Sequence, residues 1–261
     1  MQSNHKNPIS ISNQIVLVTG GARGLGAAIA QAFLRENARV VINYHQSKQA
    51  AEKLQAESNN NAIAIKADVT NPDEVKKMVE IAENHFNSYI TTIVNNALPS
   101  FKFDGDNRPK VANLTWSRID QQVQGSLRGC LNTVQACLKG MKSLEFGRII
   151  NIGTNLVQHP VVPYHDYTAA KAALLSFTRT LSKDLGKYGI TVNMMSGGLL
   201  QETDASSATP AEVFNLIAKN TPLGRVTTPE EFADIALFFA SPWSRAITGQ
   251  NILVDGGLVN N

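Results

Sequence analysis

Short apolar runs alternate with amphipathic stretches along most of this chain, and this rhythm constrains its fold more than any other feature. The first four runs are QIVLVTG, ARVVINY, NAIAIKADV and TTIVNNA, which begin at residues 14, 38, 61 and 91. Each is rich in β-branched residues, and a segment with helical periodicity separates it from the next run. Such repetition predicts an α/β fold in which a doubly wound parallel sheet of about seven strands carries helices on both faces.

The composition is that of an ordinary globular domain. The 261 residues are 43% hydrophobic and 17% charged, and the net charge of +3 comes without a basic run, so nucleic-acid binding is not indicated. We predict a polar flexible tail over residues 1–13 and one domain over residues 14–261. No apolar run is long enough to span a bilayer, and the polar amino terminus lacks the apolar core of a signal peptide. A cytoplasmic location and no membrane association are therefore expected.

Three glycines stand between the first strand and the following helix. Gly20, Gly24 and Gly26 form the pattern Gly-x-x-x-Gly-x-Gly at this junction. Small residues there allow a pyrophosphate to approach the backbone, and the helix amino terminus offers free N–H groups and the positive end of its dipole. The alternative interpretation is a tight turn with close helix–strand packing.

Three helix starts are predicted from one local pattern. Each has a capping residue, a proline at the first helical position and a glutamate at the third. The three sites are Asn71-Pro72 with Glu74, Thr209-Pro210 with Glu212, and Thr228-Pro229 with Glu231.

Residues 98–115 are predicted to form a long loop, because they contain two prolines, a glycine and mixed charges. Two aromatic residues, Phe101 and Phe103, lie within this loop. They are interpreted as lining a substrate entrance, as a subunit contact, or as an apolar anchor for the loop itself.

A tyrosine and a lysine four residues apart form the candidate catalytic pair. If Tyr167 lies on a helix, Lys171 shares its face one turn later, and the ammonium is expected to lower the pKa of the phenol. A phenol with a lowered pKa can exchange protons with a carbonyl or alcohol oxygen. Thr154 follows the apolar run RIINIG, so its hydroxyl is placed to hydrogen-bond the same oxygen. The alternative is a half-exposed surface pair.

The glycine pattern, the Asn95-Asn96-Ala97 segment and the Tyr167/Lys171 pair occur in an order that resembles the short-chain dehydrogenase/reductase family. Within it, the chain is most similar to 3-oxoacyl-[acyl-carrier-protein] reductase-type enzymes through TGGARGLG, ADV, YTAAKAAL and TGQNILVDGG. The resemblance implies a single Rossmann domain, a lid at about 199–223, a place in fatty acid biosynthesis and a homotetramer, with a dimer as the alternative.

The resemblance also implies residue roles. Tyr167 becomes the general acid, Lys171 holds the nicotinamide ribose, Thr154 takes the place of the catalytic serine, and Ser126 that of an asparagine in a proton relay. Leu98 stands where a glycine is usual, and Gly197 where a proline is usual. The positions expected to bind the cofactor are Gly20, Arg23, Gly24, Leu25, Gly26, Asn43, Tyr44, Asp68, Val69, Asn95, Ala97, Tyr167, Lys171 and Gly198.

The cofactor preference is predicted from the end of the second strand. Asn43, Tyr44 and His45 offer no acid for a ribose 2′-hydroxyl, while Arg23 is placed to meet a 2′-phosphate, so NADP(H) is favoured over NAD(H). His159 and His165 are left out of the catalytic set, and no ligand spacing indicates a metal site.

The expected function is NADPH-dependent reduction of a ketone to a secondary alcohol, with a 3-oxoacyl thioester as the first substrate class. Two alternatives stay open: oxidation of a small alcohol or sugar, and a nucleotide-sensing protein without catalysis.

Overall fold

Seven parallel strands form one sheet in the computed structural model, which describes residues 9–98, 101–201, 203 and 205–260. The strand order β3-β2-β1-β4-β5-β6-β7 confirms the predicted doubly wound sheet. The strands are β1 (Ile15–Val18), β2 (Arg39–Tyr44), β3 (Ala62–Lys66), β4 (Thr92–Asn95), β5 (Gly147–Thr154), β6 (Ile190–Gly197) and β7 (Asn251–Val254).

Helices cover both faces of the sheet. Because side chains alternate along a strand, Val16 and Val18 of β1 face one apolar layer, while Ile15 and Leu17 face the other. The α-helices of the described residues are α1 (Gly24–Arg35), α2 (Lys48–Ala56), α3 (Pro72–Phe86), α4 (Trp116–Val123), α5 (Gly129–Leu144), α6 (His165–Leu185), α7 (Ala211–Asn220) and α8 (Pro229–Ala240). None of the helices in these ranges is long and apolar enough to cross a membrane.

Two of the three predicted helix caps are confirmed. The Asn71 side chain accepts hydrogen bonds from the first turn of α3, and Thr228 forms a complete capping box with Glu231 at the start of α8. The prediction for Thr209 is wrong, because α7 begins at Ala211 without a side-chain cap. The Thr209 hydroxyl instead donates to the carbonyl oxygen of Phe103 at 3.1 Å. A tertiary partner has replaced the local one.

The helical segment from Trp116 to Leu144 is interrupted. A π-helical turn over Gln124–Arg128 separates α4 from α5, and Ser126 lies within this turn. Such turns are often found at functional sites. Both cysteines lie on α5, where Cys130 and Cys137 are buried and unbridged.

The predicted tail lies largely outside the described residues. Its described end includes a short 3₁₀ turn over Ile11–Asn13, and Ile11 packs against the core beside β1.

Candidate active site

A cleft of about 1160 Å³ opens at the carboxyl edge of the sheet. The strand order reverses direction between β1 and β4, and ligands of doubly wound proteins bind at such a switch point. The volume suits a ligand larger than a typical small molecule. Among the predicted positions, the cleft is lined by Gly20, Arg23, Gly24, Leu25, Gly26, Asn43, Tyr44, Asp68, Val69, Ala97, Tyr167, Lys171 and Gly198.

The glycine turn has the geometry that phosphate binding needs. Gly20 and Gly24 adopt positive φ values of 61° and 51°. At Gly26, an added Cβ would lie only 2.1 Å from the carbonyl oxygen of Gly20. The backbone is therefore drawn tightly together at the amino terminus of α1, where N–H groups lack helical partners.

Thr19 and Asn96 hold this turn in place, and the sequence analysis assigned a role to neither. The Thr19 hydroxyl accepts from the backbone N–H groups of Asn96 at 2.9 Å and Ala97 at 3.0 Å. The Asn96 amide donates in return to the carbonyl oxygens of Thr19 and Gly20. The available signal was a polar residue directly after each of two strands, Thr19 after β1 and Asn96 after β4.

Both polar atoms of the Asn43 side chain are hydrogen-bonded to the backbone around the glycine turn. Its side-chain oxygen accepts from the Gly20 N–H at 3.1 Å, and its amide nitrogen donates to Ala67 at 3.0 Å. Asn43 lines the cleft together with Tyr44 and His45, and its contact with the cofactor stays a prediction.

The Asn95 side chain is directed away from the large cleft, and its predicted place beside the cofactor stays a prediction. That side chain is 8% exposed and enters the core, where it donates to Asn151 at 2.9 Å and accepts from Thr133 at 2.7 Å. Asn151 donates in turn to Thr178 on α6. Strand alternation explains this direction, since Asn95 and Asn96 direct their side chains to different sides of the strand.

Tyr167 and Lys171 lie on α6 next to the end of β5, as their spacing predicts. Lys171 Nζ donates to the carbonyl oxygen of Ile152 at 2.8 Å and lies 5.7 Å from the centroid of the Tyr167 ring. The Thr154 hydroxyl lies close enough to the Tyr167 hydroxyl to favour its phenolate form. Thr154 Oγ1 also accepts from the backbone N–H of Leu156, which fixes its orientation. Tyr167 and Lys171 line the cleft, and the buried Thr154 hydroxyl interacts with the phenol.

The pKa of Tyr167 is raised to about 12, because burial disfavours the phenolate more than the Thr154 hydrogen bond stabilises it. Burial also lowers the pKa of Lys171 to about 8, an effect that the nearby Cys130 opposes. The expectation that the lysine lowers the tyrosine pKa is therefore wrong, since burial outweighs any such effect. Sequence spacing locates the pair but does not report how deeply it is buried.

Ser126 faces Lys171 across a small cavity of about 10 Å³, whose lining also includes Asn95 and Cys130. The Ser126 hydroxyl is buried and has no hydrogen-bond partner among the described residues. The cavity is about the size of one water molecule. The π-helical turn thus presents a polar group towards the lysine.

Phe101 and Phe103 also line the cleft and contact the Tyr167 ring. These positions fit a substrate entrance, and the contacts of both rings with Tyr164 also fit an apolar anchor for the loop. No three His, Cys, Asp or Glu side chains of the described ranges gather in a way that could hold a metal ion.

Comparison with known proteins assigns the family. A family model described as enoyl-(acyl carrier protein) reductase matches residues 20–259. A 3-oxoacyl-[acyl-carrier-protein] reductase of Synechocystis sp. is 36% identical over 256 residues, with 96% of this chain and 98% of the relative covered. The chain belongs to the short-chain dehydrogenase/reductase family.

Other relatives in the short-chain dehydrogenase/reductase family carry different reductase names. A versicolorin reductase of Emericella nidulans is 34% identical, with 95% of this chain and 96% of the relative covered. An NADPH-dependent aldehyde reductase of Arabidopsis thaliana is 29% identical, with 96% and 95% covered. Family membership and these names identify the chain as an NAD(P)-dependent oxidoreductase.

Proposed function

We propose that this protein reduces a ketone to a secondary alcohol with NADPH. The observation that carries the proposal is the Tyr167 phenol at the cleft, with the Thr154 hydroxyl interacting with it and the Lys171 ammonium nearby. Two hydroxyls suit a carbonyl oxygen, which can accept two hydrogen bonds. The name of the Synechocystis relative makes a 3-oxoacyl thioester the first substrate class to test.

Each side chain has a separate role in this proposal. Tyr167 donates a proton to the carbonyl oxygen as it gains negative charge, and Thr154 hydrogen-bonds the same oxygen. Lys171 supplies positive charge beside both. NADPH, when bound, supplies the hydride for the carbonyl carbon.

Ser126 completes the proposed site through the small cavity. A water in that cavity would accept a hydrogen bond from Lys171 and pair with the unpartnered Ser126 hydroxyl. This arrangement gives the lysine a route for proton exchange that does not pass through the substrate pocket.

The preference for NADPH rests on the side chains at the end of β2. Tyr44, His45 and Arg23 line that part of the cleft, and no carboxylate stands among the residues directly after β2 at 45–47. A 2′-phosphate carries charge that a guanidinium binds well, whereas a ribose 2′-hydroxyl is normally bound by an acid.

Replacing Arg23 by alanine is expected to raise the KM for NADPH about tenfold or more, the usual effect of losing a charge-assisted hydrogen bond. The KM for NADH should change little, since NADH lacks the 2′-phosphate. Arg245→Ala is the matched control, because Arg245 is exposed and bonds Pro242 near the opposite edge of the sheet. Equal effects on both cofactors would contradict the NADPH assignment.

The pH dependence should follow Lys171. Its pKa of about 8 means that the ammonium loses its charge above pH 8, whereas Tyr167, with a pKa of about 12, stays protonated. We expect kcat/KM for NADPH, which reports groups of the free protein, to be constant below pH 8 and to fall about tenfold per pH unit above it. Lys171→Arg should show a lower rate without this decline, because arginine stays charged. A parental profile that is flat to pH 10 would contradict the assignment.

The direct test combines the purified protein with NADPH and a panel of acetoacetyl thioesters, cyclic ketones and quinones, and follows the loss of NADPH absorbance. Oxidation of secondary alcohols with NADP⁺ or NAD⁺ tests the alternative that the protein oxidises a small alcohol or sugar. NADPH binding without turnover of any panel member would favour the nucleotide-sensing alternative.

The homotetramer stays a prediction, and light scattering of the eluted protein would test it.

A further inference from the structure

Phe101 and Phe103 form an aromatic wall beside the proposed proton donor. The Phe101 ring is stacked on the Tyr167 ring, with 4.5 Å between centroids and 17° between planes. Phe103 meets the same tyrosine edge to face, at 5.6 Å and 87°. Both phenylalanines also line the cleft. The wall therefore borders the space next to the reacting oxygen.

Other contacts hold the wall in this arrangement. Its two rings pack against each other at 5.1 Å, and each contacts the buried ring of Tyr164. The backbone N–H of Phe103 donates to Ala205 at 2.8 Å, and the Phe103 carbonyl accepts from Thr209 at 3.1 Å. These bonds tie the loop to the segment before α7. A wall fixed in advance recognises a ligand without a large ordering cost.

We propose that the aromatic wall makes this site selective for ketones that carry a planar aromatic ring close to the carbonyl. The inference rests on the proposed function, because it requires the carbonyl oxygen to reach the hydroxyls of Tyr167 and Thr154. A substrate held there places its substituents along the cleft beside Phe101. Aromatic rings attract one another in stacked and edge-to-face arrangements beyond what burial alone provides. Phe101 is thus a specificity-determining residue.

The test compares 2-tetralone with trans-2-decalone, two bicyclic ketones with the same ten-carbon skeleton that differ in the aromatic ring. Dissociation constants are measured by titration calorimetry, with and without NADP⁺ so that no reduction occurs. The proteins are the parent, Phe101→Leu, which keeps an apolar side chain without a ring, and Phe86→Leu as the matched control. Phe86 ends α3 at the opposite edge of the sheet, beside Arg39.

We expect the parent to bind 2-tetralone about 2- to 10-fold more tightly than 2-decalone, the range that an aromatic pair contributes beyond burial. Phe86→Leu should keep this ratio, and Phe101→Leu should reduce it to about one. The melting temperature of each variant establishes that it is folded. Equal affinities in the parent, tighter binding of the saturated ketone, or an unchanged ratio in Phe101→Leu would overturn the proposal.

Turnover of the same ketones with NADPH is read separately. Binding selectivity without reduction of any ketone would count against the proposed function and leave the aromatic wall supported. Reduction of both ketones, with equal dissociation constants, would support the proposed function and overturn the selectivity of the aromatic wall.

Discussion

Replacement of Tyr167 by phenylalanine is expected to lower kcat for ketone reduction by about 10²–10⁴-fold, the contribution of a positioned general acid. The change removes one oxygen atom and keeps the ring that packs on Phe101. Thr154 still hydrogen-bonds the carbonyl oxygen in this variant, but no phenol protonates it. The rate is measured from NADPH absorbance at saturating ketone.

Tyr188→Phe is the matched control for this experiment. Tyr188 lies just before β6 at the opposite edge of the sheet, where Lys142 and Lys187 contact its ring. This variant should keep the parental rate. NADPH affinity, followed by fluorescence, should be unchanged in Tyr188→Phe and should fall much less than kcat in Tyr167→Phe, since that change removes only one of the proposed cofactor contacts. If Tyr167→Phe reduced ketones as fast as the parent, Tyr167 could not be the proton donor.

Replacement of Gly26 by alanine is expected to weaken dinucleotide binding about 10- to 100-fold. The new Cβ would lie 2.1 Å from the carbonyl oxygen of Gly20 and 2.6 Å from the Asn96 amide, so the turn must open. Overpacking where backbone meets backbone costs about 1–3 kcal/mol. The dissociation constants for NADPH and NADH should rise together, since both share the pyrophosphate.

Two further glycines give graded controls. Gly186→Ala should be silent, because no heavy atom lies within 4 Å of its added Cβ and its φ of −55° is helical. Gly24→Ala should have an intermediate effect, since its φ of 51° is strained for alanine although space is available. Melting temperatures separate lost binding from lost structure. Equal affinities across the three variants would show that the glycine turn does not hold the dinucleotide.

The fold was largely predictable because its signals are local. Alternating strand and helix patterns set the sheet, and the caps at Asn71 and Thr228 are formed by neighbours within three residues. The Tyr167/Lys171 pair was predictable for the same reason, because helical spacing alone puts both side chains on one face.

The features that the sequence did not predict concern side chains whose partners are distant in sequence. Thr209 bonds Phe103, 106 residues away, instead of capping its own helix. Asn43 and Asn95 are engaged by residues of neighbouring strands and helices. The tyrosine pKa depends on burial, which no spacing reveals. Propensity and periodicity describe a segment by itself, whereas these outcomes depend on what the fold brings against it.

The two buried thiols have a consequence for how the protein responds to oxidants. Burial raises the pKa of Cys130 to about 12 and also raises that of Cys137, so neither sulfur is a thiolate at neutral pH. The thiolate is the nucleophile that attacks peroxides and disulfides. Oxidants are therefore expected to convert neither cysteine readily to a sulfenic acid or a mixed disulfide while the protein is folded.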